Sequence, residues 1–137
     1  MKPRVEVRAY AAMVTFAQRV QRAADAALAD SGVSPAQFFI LATVDRRGET
    51  QQSELAATLG VTAANVSQLV AKLDEARLVT RVDRGKAKVV HLTAKGKALV
   101  DRLRPEHDAF LAARFSALGA EERKALLALL EKLVEGA

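Results

Sequence analysis

Residues 62–73, TAANVSQLVAKL, separate into two kinds of side chain when wound at the helical period. Val66, Leu69, Val70 and Leu73 recur as one apolar stripe, while Thr62, Ala63, Asn65, Ser67, Gln68 and Lys72 fall outside it. Five of those six are uncharged, and most of them both donate and accept hydrogen bonds. That chemistry suits base edges in a duplex major groove. Asn and Gln bond adenine bidentately, Ser and Thr reach several base edges, and an Ala methyl packs on a thymine methyl. An acidic side chain there would repel phosphates, and none occurs from Leu55 to Leu73. The run 55–70 carries no charge at all, in a chain that is 27% Asp, Glu, Lys and Arg.

A second group of residues suits the sugar–phosphate backbone. Gln52 and Ser53 open the preceding helix, where side chains and free N–H groups hold phosphate. Lys72 and Arg81 follow, and Arg84, Lys86 and Lys88 crowd the stretch RVDRGKAK. Residues 78–104 hold eight basic side chains against Asp83 and Asp101, a net +6 that exceeds the +5 of the whole chain. Residues 105–137 carry four basic and six acidic side chains. The positive charge is therefore concentrated in one short segment, which implies an anionic partner.

Other chemistries lack their residues. There is no Cys, so disulfides, thiolate catalysis and cysteine zinc sites are excluded. The two histidines are His91, expected to face outwards from a strand, and His107, between Glu106 and Asp108. Adjacent side chains diverge on a helix, so that second trio is a poor metal-ligand set. No nucleophile–base set, glycine-rich phosphate loop or paired carboxylate stands out, so neither an enzyme nor a bound cofactor or metal is expected. No apolar run reaches the length of a membrane span, and the N-terminus lacks a signal-like apolar stretch. A cytoplasmic protein fits these features.

The elements that must position these residues follow from local signals. A helix is expected over residues 7–29. Ser34-Pro35-Ala36-Gln37 is a capping-box start for a second helix, apolar on several sides, that ends at Arg46-Arg47-Gly48. Residues 52–59 form a short helix. Gly60 breaks it where a positive φ is needed, and Thr62 caps the next helix, which extends to about Ala76. The period then changes. Leu78–Thr80 and Val89–Leu92 read as two short strands around a loop with Gly85 at its tip. Thr93 starts a long helix over 94–117 that Pro105 should bend or break, and a Leu-rich helix over 121–134 closes the chain. The fold class is mainly α with a small β-hairpin wing. A winged helix-turn-helix lobe is flanked by N- and C-terminal helices. The order helix, turn, helix, strand, basic loop, strand is more specific than any part of it. The competing reading is a winged-helix protein–protein adaptor that never touches DNA, and the basic wing argues against it.

The stretches SELAATLGV, VSQLVAKLDEARLV and VVHLTAKG resemble the MarR family of winged-helix transcription regulators, with a match that covers roughly residues 34–104. The resemblance implies a homodimer formed by the terminal helices. Residues 1–33 are then an N-terminal dimerisation helix, 34–93 the DNA-binding lobe, and 94–137 linker and dimerisation helices. It further implies a near-palindromic double-stranded operator and repression relieved by a small-molecule effector. A small aromatic compound is the candidate, bound by residues the sequence leaves unknown. Two departures stand out. The wing is shorter than in many relatives, so Arg84 and Lys86 share the place of the family's wing arginine. Gln68 stands where relatives often carry Arg.

Overall fold

The computed structural model describes residues 1–137. Six helices and three strands follow in the order α1 (Val5–Ala27), α2 (Pro35–Arg47), β1 (Thr50–Gln51), α3 (Gln52–Leu59), α4 (Ala63–Glu75), β2 (Val79–Arg84), β3 (Ala87–Leu92), α5 (Ala94–Arg114) and α6 (Ala120–Gly136). The chain forms two compact units, Met1–Pro105 and Glu106–Ala137.

In the first unit the local start and stop signals operate as the sequence implies. Ser34 Oγ accepts the Gln37 N–H at 3.2 Å and Gln37 Oε1 accepts the Ser34 N–H at 2.9 Å, so two orphan donors of α2 are satisfied. Phe38, Ile40, Leu41, Thr43 and Val44 of α2 are all buried, which makes it the central helix of the unit. Gly60 takes the left-handed conformation at φ 69° and closes α3. Leu55, Val66 and Val70 are fully buried, and together they clamp α3 to α4. Each such side chain contributes about 1.5–3 kcal/mol by leaving water. Leu69, expected in the inner stripe, is only half-buried at its edge.

The sheet exceeds the expected hairpin. β2 and β3 each span six residues and pair antiparallel from Val79↔Leu92 to Arg84↔Ala87, leaving only Gly85 and Lys86 in the turn. β2 is exposed beyond Val79, so no apolar pattern marks its outer half. A third strand, β1, pairs with the other edge of β3 through Thr50↔Val90 and Gln51↔Val89. Two residues carry no periodicity, which is why β1 escapes a sequence reading.

The start of α5 seats the end of α4. Thr93 Oγ1 accepts the Gly96 N–H at 3.0 Å and donates to the Arg77 carbonyl at 2.7 Å, while Lys95 Nζ donates to the Ala76 carbonyl at 3.0 Å. Gly96 lets this approach happen, because a Cβ there would lie 2.1 Å from the Leu78 carbonyl oxygen. Farther along α5, Lys97 and Arg104 meet the largely buried Asp45 of α2 at 2.9 and 2.7 Å. Hydrogen bonds that Lys97 donates to Asp45 and Asp101 hold its ammonium pKa above the ordinary value. α5 runs through Pro105 without a break, where a bend or a break was expected, and ends at Arg114, short of the expected residue 117.

In the second unit the Arg114 guanidinium lies 5.1 Å over the Phe110 ring, and the His107 ring centre is 6.3 Å from that ring. Burial pushes the His107 imidazole below its ordinary value. Glu122 Oε1 accepts the Gly119 N–H at 2.9 Å at the start of α6. No residue of α6 is buried, and Leu127, Leu129, Leu133 and Val134 stand exposed. No helix of the chain is long and apolar enough to cross a membrane.

Candidate nucleic-acid interface

The α3–turn–α4 pair presents the face that the sequence singles out. Ala63, Asn65, Gln68 and Lys72 are exposed on α4, and Ser67 is half-buried. Thr62 is exposed too, but its Oγ1 caps α4 by accepting the Asn65 N–H at 3.1 Å. Its hydroxyl proton stays available to an outside acceptor. Ala64 is a further exposed residue of α4, outside the set that the helical period singles out. No carboxylate interrupts this face before Asp74. Its donors and acceptors therefore offer hydrogen bonds without repelling phosphate.

At the start of α3 no side chain caps the helix, which leaves its first N–H groups to outside acceptors. Ser53 is exposed and donates only a long 3.4 Å bond to Gln51 Oε1. Gln52 is half-buried, and its Oε1 is buried with no hydrogen-bond partner within the chain. It is the more constrained of the two predicted phosphate ligands.

The wing sorts its cations into two kinds. Lys86 and Lys88 are exposed and make no ion pair, as is also true of Lys72. Arg81 pairs with Asp74 Oδ2 of α4 at 3.3 Å, which ties β2 to α4. Arg84 pairs with Glu49, whose second oxygen lies 3.3 Å from His91 Nε2. His91 thus has a carboxylate neighbour and is half-buried, rather than facing freely outwards. Sequence reasoning missed Glu49 because it sits 35 positions from Arg84. Only the β1–β3–β2 order brings the two together.

A helix-turn-helix followed by a two-stranded basic wing defines a winged helix-turn-helix protein. Residues 31–88 match the profile of the MarR family. YkoM of Bacillus subtilis (strain 168), an uncharacterized HTH-type transcriptional regulator, is 28% identical over 123 residues, covering 85% of this chain and 80% of that protein. Sco3205, a MarR family transcriptional regulator from Streptomyces coelicolor solved in complex with DNA, superposes with a TM-score of 0.85 at 23% identity, over 98% of this chain and 91% of that one. BpsR of Bordetella bronchiseptica, whose structure concerns regulation of DNA binding by 6-hydroxynicotinic acid, superposes with a TM-score of 0.83 at 22% identity, over 92% and 98% of the two chains. At those identities the two solved structures establish the fold. Over residues 31–88 the chain is thus similar to the MarR family, and over most of its length to HTH-type transcriptional regulators.

Proposed function

We propose that two copies of this chain form a dimer that binds a near-palindromic DNA operator and represses transcription in the cytoplasm. The observation that carries the reading is the uncharged, exposed face of α4, flanked by the unpaired cations Lys72, Lys86 and Lys88. Thr62, Ala63, Asn65, Ser67 and Gln68 read bases, and Gln52, Ser53, Lys72 and Arg81 hold the backbone. Lys86, Lys88 and, once freed from Glu49, Arg84 form the wing contact. Two recognition helices would enter successive major grooves about one helical turn, roughly 34 Å, apart.

Dimerisation rests on apolar surface. α1 exposes Val5, Val7, Tyr10 and Met13, and α6 exposes Leu127, Leu129, Leu133 and Val134. Such faces on soluble proteins are covered by a partner. The terminal regions 1–33 and 94–137 thus take the dimerisation and linker roles, and 34–93 the DNA-binding role. An effector, with a small aromatic acid as the candidate class, would act by favouring a spacing of the two lobes that mismatches the groove repeat.

Selection of bound duplexes from a random pool tests the whole reading. The expected product is a two-fold symmetric site with half-sites one turn apart, bound with an affinity that falls steeply with salt. A protein–protein adaptor would enrich no sequence and would bind no duplex at physiological salt.

A further inference from the structure

The register of the wing gives Arg84 an unexpected direction. Strand alternation places Thr80, Val82 and Arg84 of β2 on one face with His91, Val89 and Ala87 of β3. Gln51 of β1 stands opposite Val89, so Glu49, two residues earlier, belongs to the same face beside His91. Arg84 itself is opposite Ala87, four residues nearer the tip. To meet Glu49 its side chain runs back along the sheet, away from the tip that Lys86 occupies. A carboxylate that oriented Arg84 for an outside ligand would hold it towards the tip, and Glu49 does the reverse. The pair is also open to water, with side chains 55% and 42% exposed, so it is weak and readily exchanged.

We propose that Glu49 is an intramolecular rival of DNA for Arg84, a latch that holds the wing arginine back and releases it only in exchange for phosphate. The proposal rests on the DNA-binding reading and adds a residue that limits affinity, where the basic residues raise it. In the unbound protein Glu49 neutralises the guanidinium. On the duplex, Arg84 leaves one carboxylate oxygen for the denser negative charge of the backbone, and Glu49 keeps His91 Nε2 as a neighbour at 3.3 Å.

A double-mutant cycle on the full chain tests this. Wild type, Glu49→Gln, Arg84→Gln and the double variant are titrated against one selected duplex by fluorescence anisotropy, with thermal melting to confirm that each folds. Glu49→Gln should tighten binding about two- to fivefold per wing, the exchange range of an exposed ion pair, and by the square of that factor for two wings. In the Arg84→Gln background the same change should be close to neutral. Weaker binding by Glu49→Gln would mean that Glu49 positions Arg84 for DNA and would overturn the latch. An equal gain in both backgrounds would reduce the effect to net charge and overturn it too, as would no change at all. Wild type failing to bind any duplex would overturn the DNA reading itself, an outcome distinct from wild-type binding that Glu49→Gln leaves unaltered.

Discussion

Removing both wing lysines, by Lys86→Ala with Lys88→Ala, is the sharpest perturbation of the proposed interface. Both side chains are exposed, lie at or beside the hairpin turn, and make no ion pair, with Asp83 the residue opposite Lys88 across the hairpin. Their loss should leave the fold intact, because neither contributes to the core. If each neutralises one phosphate, a two-wing complex loses four such contacts. The slope of log affinity against log salt flattens by about 0.9 per contact, or about 3.6 for four. Between about 50 and about 200 mM salt the wild-type advantage should therefore shrink by about two orders of magnitude. The assay is an anisotropy titration of wild type and variant at four or more salt concentrations on one duplex. Parallel salt lines would refute the reasoning, since lost phosphate contacts must change the slope. Arg84→Ala is the internal comparison. Its loss also breaks an ion pair and frees the Glu49 carboxylate, whereas neither lysine makes an ion pair.

Asn65→Ala should cost about 1–3 kcal/mol of operator preference while nonspecific duplex affinity is retained; equal losses on operator and random DNA would remove Asn65 from base reading. Gly96→Ala puts a Cβ within 2.1 Å of the Leu78 carbonyl oxygen, so urea unfolding should reveal a loss of about 3 kcal/mol, and a neutral result would contradict the packing of α5 on the end of α4. His107 contributes a pH dependence of definite sign. Burial lowers its folded value, so the unfolded chain binds the proton more readily, and stability present above its ordinary 6.5 is lost as pH falls below it. Replacing His107 by Gln should flatten that part of the stability–pH curve in denaturant melts, and an unchanged curve would show that the imidazole is not desolvated.

What the chain alone determines is whatever its neighbours in sequence can enforce. Ser34 and Gln37 cap α2 within one turn, Gly60 and Thr62 end one helix and begin the next within three residues, and the α4 stripe declares itself at the 3.6 period. These are interactions over a few bonds, so the position of the helix-turn-helix and the exposure of Asn65 and Gln68 are legible without coordinates. Tertiary structure decided what depends on distant partners. β1 exists only because β3 offers it a free edge, and the outer half of β2 is held by pairing rather than by burial. Gly96 reads as a helix weakness until the Leu78 carbonyl is seen against it. The wing cations look alike in sequence. Only the sheet order gives Arg84 an ion pair with Glu49, while Lys86 and Lys88 make none. A residue's type sets its charge, but whether that charge is available to a ligand depends on what the fold has already placed beside it.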